Sequence, residues 1–103
     1  MRLCLIAVLL LAGCSPVRNT FDVDAAGYPD AVAVLVLCGK ELPLTRLGSK
    51  LEVTSPITCE GEGDIQLRFK ERGQSNCHVG YVTPGAVQVF RFRLRDGRCD
   101  PMS

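Results

Sequence analysis

The sequence predicts an all-β fold, a small antiparallel sandwich or open barrel of five to six strands with two disulfides. Three observations carry this. Through the last third of the chain apolar residues recur at every second position, the period of a half-buried strand. Gly and Pro, ten and six of them, punctuate the chain with turn signals. Six cysteines are many for 103 residues, and with no Trp and few other aromatics the core available to such a chain is modest. Lys and Arg total 12 against 11 Asp and Glu, so no net field steers the chain toward nucleic acid, and no nucleic-acid partner is expected.

Residues 1–13 read as a secretory signal, with Arg2 as a minimal positive start, Leu3 to Leu11 as the apolar run and Ala12-Gly13 as a small-residue cleavage site. The run is much shorter than the roughly 20 residues that cross a bilayer. Cys14 follows at once. The stretch Leu11-Ala12-Gly13-Cys14 resembles the lipobox of bacterial lipoproteins, a likeness that covers residues 1–14 alone. It implies that Cys14 becomes the first mature residue, thioether-linked to a diacylglycerol and N-acylated. Two or three acyl chains, at about 0.8 kcal/mol per buried methylene, make such an anchor effectively permanent. In place of the Asp that retains Gram-negative lipoproteins at the inner membrane stands Ser15, which implies the outer membrane, facing the periplasm.

Residues 14–30 are expected to be the lipidated cysteine and a flexible tether. Pro16, Gly27 and Pro29 interrupt any periodicity, and Asp22, Asp24 and Asp30 keep the segment solvated. Extended, it would hold the domain about 50 Å from the lipid.

The folded domain is expected over 31–103. Ala31 to Leu37 is a continuous apolar run of strand length and reads as a central strand buried on both faces. Leu42-Pro43-Leu44 is extended but ill suited to a ladder, since Pro43 has no N–H. After the turn at Gly48-Ser49, Lys50 to Thr54 alternates with Leu51 and Val53 inward, and Pro56 ends the strand. Cys59 to Asp64 reads as a solvated acidic loop. Three alternating strands follow, with Ile65, Leu67 and Phe69, then Cys77, Val79 and Tyr81, then Phe90, Phe92 and Leu94 facing inward.

Keeping one face buried sets the register of these three strands. A two-residue Pro84-Gly85 turn and a three-residue turn at Arg72-Gly73-Gln74 yield inward rows of Phe69, Cys77 and Phe92, and of Leu67, Val79 and Phe90. The outward rows then bring Arg68, His78 and Arg91 together, with Lys70 and Arg93 in the next row, as a candidate anion or partner face. Residues 65–98 carry seven basic and two acidic residues and 15–64 four basic and eight acidic, which suggests an electrically two-sided domain.

If Cys4 leaves with the signal and Cys14 carries lipid, Cys38, Cys59, Cys77 and Cys99 remain. Four cysteines allow three connectivities in an oxidising compartment, and the strand layout favours Cys38–Cys59 with Cys77–Cys99. No Cys-x-x-Cys pair supports a zinc site, so no metal or other cofactor is expected.

An enzyme is not expected either. His78 is the single histidine, and its neighbour Cys77 points to the opposite face of a strand. The sequence therefore points to a lipid-anchored envelope lipoprotein serving as a binding or assembly module, its basic face meeting an envelope protein or an anionic glycan. The alternative is a periplasmic inhibitor of a hydrolase such as lysozyme, which would use the acidic stretch at Glu60, Glu62 and Asp64.

Overall fold

The computed structural model describes residues 18–70 and 73–102; the expected signal segment 1–13 and Cys14 lie outside them. The strands are β1 (Arg18–Asp24), β2 (Val32–Leu37), β3 (Lys40–Pro43), β4 (Thr45–Leu47), β5 (Lys50–Pro56), β6 (Gly61–Phe69), β7 (Gly73–Val82), β8 (Val89–Arg95) and β9 (Arg98–Pro101). They form two sheets, ordered β4-β5-β1-β8-β9 and β3-β2-β6-β7, whose inner faces share one core. The chain is thus an all-β sandwich with open edges, built from nine described strands where five to six were expected. Every pairing is antiparallel except that of β1 with β8.

The expected tether contains a core strand. Arg18–Asp24 lies between β5 and β8, with Phe21 and Val23 wholly buried, so the folded domain includes this segment and does not start at residue 31. Phe21 stacks on Phe90 with ring centroids 5.1 Å apart. The segment that follows is pinned as well. Arg46 donates from Nη2 to the Tyr28 carbonyl at 2.9 Å, and Gly97 N–H donates to the Tyr28 hydroxyl at 2.8 Å.

β2 is buried on one face only. Ala33, Leu35 and Leu37 enter the core while Val32, Val34 and Val36 face outward, so its apolar run does not mark burial on both sides. Past the turn at Cys38-Gly39, whose residues have φ of 58° and 73° as a two-residue hairpin of primed type requires, β3 returns along the sheet edge. Pro43 closes that edge strand, where its missing N–H costs nothing. Buried Leu44 then donates to the Ala33 carbonyl at 2.9 Å while the chain changes sheets into β4.

β6 and β7 form a hairpin in which Phe69 pairs with Gly73, so three residues separate the paired ends as expected, but the register differs from that of a loop at 72–74. Cys77 therefore opposes Ile65 instead of Phe69, a slide of an even number of residues that leaves these side chains on their expected faces. The face changes further along. His78 pairs with Asp64 but Gly80 pairs with Gly63, so Val79 is the extra residue of a β-bulge, and Gly80 adopts φ of 90°. The bulge reverses parity, so Tyr81, expected inward, is 57% exposed and Val82 is fully buried.

β7 and β8 do not pair. Segment 83–88, expected to be a tight hairpin, carries the chain from one sheet to the other, where β8 lies beside β1. Its geometry is held by Gln88, whose Oε1 accepts from Thr83 N–H at 3.2 Å and whose carbonyl accepts from Thr20 N–H at 3.1 Å. The expected rows joining Phe92 and Phe90 to β7 are therefore absent, although Phe92 and Leu94 do enter the shared core.

Both disulfides have the expected connectivity, with Cα–Cα distances of 6.3 Å for Cys38–Cys59 and 5.2 Å for Cys77–Cys99. The second ties β7 of one sheet to β9 of the other. Their sequence separations, 21 and 22, imply nearly equal loop-closure stabilisation of about 3 kcal/mol each. Burial differs, since Cys77 is fully enclosed whereas Cys38 is exposed. Replacing Cys77 and Cys99 by Ala should thus lower stability in denaturant titrations more than replacing Cys38 and Cys59. A chain starting at Ala31 should show no cooperative unfolding transition, and Phe21→Ala should cost about 3–5 kcal/mol.

Candidate functional site

The five basic residues that the sequence gathers on one face occupy three places in the sandwich. Arg91 and Arg93 stand on the outer face of the β4-β5-β1-β8-β9 sheet, opposite Asp22 and Asp24 of β1. Their Nε atoms lie 3.7 Å from Asp22 Oδ2 and 3.7 Å from Asp24 Oδ2. The row through Arg93 reads Lys50, Asp24, Arg93, Asp100 across four strands, alternating in sign. Asp22 is almost wholly enclosed, and that burial raises its carboxyl above the usual carboxylate range against the pull of Lys50 and Arg91, with Glu52 and Asp24 raising it further. These arginines neutralise acids of the N-terminal half of the chain and do not form an open cationic surface.

His78 stands on the outer face of the other sheet, among acids rather than between arginines. Its Nδ1 lies 3.1 Å from Asp64 Oδ1 and its Nε2 3.9 Å from Glu62 Oε1, while Asn76 Nδ2 donates to Asp64 Oδ1 at 3.0 Å. The His78 hydrogen bond, then that of Asn76, holds the Asp64 carboxyl below its ordinary value, with partial burial opposing. The expected acidic loop is thus in part strand. Glu62 and Asp64 belong to β6, and Glu60 accepts from the Tyr81 hydroxyl at 2.8 Å. That hydrogen bond raises the phenol.

Arg68 and Lys70 stay together, at the end of β6 where β2 begins. Arg68 lies directly opposite Val32, which is 59% exposed. Around them are three adjoining hollows. One of about 330 Å³ is lined by Asp30, Val32, Arg68, Phe69 and Lys70. A larger one, about 510 Å³, continues past Lys70 to Tyr28 and Gly27. The third, about 140 Å³, runs from Arg68 between Val34, Gln66 and Gln74. Among the described residues, neither Arg68 nor Lys70 has an acidic partner within ion-pair distance.

Tyr28, Asp30, Val32 and Gln74 were absent from the sequence-derived site. The aromatic of Gly27-Tyr28-Pro29-Asp30, set among turn residues, was the available signal: its ring rests 5.3 Å from that of Phe69 and floors the larger hollow. Chemically the region offers a cationic pair beside an exposed β-branched side chain, which suits binding. Cys77 is committed to its disulfide, and among the described residues no group of three or more His, Cys, Asp or Glu converges as metal ligands. No protein-family model, curated protein or solved structure matches this chain.

The two shifted carboxyls have opposite consequences for stability. Asp64, lowered in the fold, stabilises above the ordinary carboxylate range, and the benefit is lost as pH falls through its lowered value. Asp22, raised in the fold, costs stability as pH climbs from the ordinary range through its raised value, and the cost persists at neutral pH. Asp64→Asn should therefore flatten the acid limb of a stability-against-pH curve, whereas Asp22→Asn should gain stability at pH 7 relative to pH 3.

Proposed function

We propose that this chain is a lipid-anchored envelope module, held at the outer membrane through Cys14, that binds an acidic protein segment at the far end of its sandwich. The observation that carries this reading is the placement of Arg68 and Lys70 among three adjoining hollows beside exposed Val32. Position supports it too. Val32 and the end of β6 lie at the opposite end of the strands from Arg18, the described residue nearest Cys14. A tethered domain therefore displays the hollows outward, and tethering raises their effective concentration for a partner in the same envelope.

Arginine and lysine at the rim suit carboxylates, and Val32, Phe69 and Tyr28 in the lining suit apolar side chains between them. The hydrolase-inhibitor alternative draws less support, because Asp64 and Glu62 are engaged with His78 and form no projecting loop.

The test is binding of an oligo-glutamate peptide, followed by photo-crosslinking from Val32 in intact envelopes. Arg68→Glu with Lys70→Glu should weaken the peptide about tenfold, or about 1.4 kcal/mol, and remove a protease-sensitive crosslink. Arg91→Glu with Arg93→Glu, on the other sheet, should leave both. Equal effects of the two pairs, with the fold intact by circular dichroism, would sink the reading, and a crosslink resistant to protease but lost to glycosidase would replace the protein partner by an anionic glycan.

A further inference from the structure

We infer that the corner of the sandwich formed by Arg18, Val87 and Val89 lies in the headgroup region of the bilayer, a second contact with lipid borne by the protein itself. The inference rests on the anchoring reading of Cys14 and goes beyond it, since acyl chains on one residue fix a position but no orientation.

Distance supplies the first part of the argument. Only Ser15, Pro16 and Val17 separate Cys14 from Arg18. At about 3.5 Å per residue, the start of β1 stands no more than about 14 Å from the acylated cysteine. A headgroup layer is roughly 5–7 Å deep on each side of the hydrocarbon. A strand rooted so close to its anchor brings the end of the sheet against the membrane.

On the β1–β8 side that end exposes large apolar side chains. Val87 is 75% exposed, the most of any large hydrophobic among the described residues, and Val89 is 53% exposed. Val89 pairs with Thr20, two residues from Arg18, and Met102, 37% exposed, just past the end of the edge strand β9, donates its N–H to the Arg91 carbonyl. Isolated exposed apolar residues are ordinary on protein surfaces. Here they gather at the end of the domain where the chain leads to lipid, with an exposed arginine between them and the anchor, a combination suited to an interface carrying anionic headgroups.

The corner is also held in shape. Buried Asn19, its amide oriented to satisfy its hydrogen bonds, donates to the Ala86 carbonyl at 2.7 Å and the Arg18 carbonyl at 3.2 Å. With the Gln88 bonds to Thr20 and Thr83, this clamps segment 83–88 onto the root of β1. Glu60 and Glu62 stand at the same end of the other sheet, on its outer face beside Tyr81. Anionic lipid repels them, so the domain leans on the Val89 side, and Arg68 and Lys70 are carried away from the membrane.

The chain contains no Trp, so one introduced indole reports one position. The full chain bearing Val87→Trp is produced with its signal in a bacterial host, checked by mass for acylation of Cys14, and reconstituted in phosphatidylethanolamine and phosphatidylglycerol vesicles containing brominated acyl chains. Leu47→Trp, an exposed position at the far end of the same sheet, is the comparison. The Val87→Trp indole should be quenched by bromine severalfold more than that of Leu47→Trp and shielded from acrylamide, and adding Val89→Asp should reduce the difference. Acylated protein in which both indoles respond equally overturns the inference and leaves the anchor standing. Protein with no acyl chain on Cys14 overturns both.

Discussion

The parallel pairing of β1 with β8 is the contact on which the rest of the sandwich depends. It joins residues some seventy positions apart, stacks half-buried Phe90 on buried Phe21, and completes a sheet that would otherwise be a three-stranded piece and a separate hairpin. Parallel neighbours cannot be linked by a tight turn, so β8 must be reached from elsewhere. The chain solves this by leaving β7 through segment 83–88 and crossing to the opposite layer. Everything outside the core follows from that crossing, because it decides which outward side chains become neighbours.

Charge shows the effect most directly. Along the chain, acids gather early and bases late, and a domain that kept the two halves apart would carry opposed surfaces. By inserting an early strand beside a late one, the fold sets Asp22 and Asp24 against Arg91 and Arg93. An exposed pair such as Asp24 with Arg93 contributes little to stability, and the burial of Asp22 offsets what it gains from Arg91. Their larger effect is to cancel a field, which leaves Arg68 and Lys70, on the other sheet, as the local cationic feature beside the hollows.

How far the sequence could be read depended on how local the determining physics was. Leu51 on β5, Leu67 on β6 and Phe92 and Leu94 on β8 declare their inward faces by alternation, and all are buried. Cysteine pairing was legible from chain order, since Cys38 and Cys59 flank strands read from the sequence and Cys77 lies on one, which leaves Cys99 as its partner. β1 was not, since two inward apolar residues alternate with acids in a segment of turn-forming composition, and the burial of Asp22 arises only once β5 and β8 flank it. The bulge at Val79 was hidden because Gly80 fits an ordinary alternation until Tyr81 and Val82 exchange faces. The partner of β8 could not be read locally at all: a Pro-Gly pair suits a hairpin, and only the competition between β1 and β7 for the same strand decides against one. The dispersal of the five-residue basic face is the direct result.

One feature of β7 bears on life at high density. Ten residues long, it is the outer strand of its sheet, and an exposed run of that length is a template on which a second copy could extend the ladder. Copies confined to a plane, as the proposed anchor would confine them, would meet edge to edge far more often than copies free in three dimensions. The bulge bends the strand partway along, and the Cys77–Cys99 link ties its middle to β9 of the other layer. No straight ten-residue edge is therefore on offer, and the fold discourages sheet-to-sheet polymerisation in the setting where crowding would most favour it.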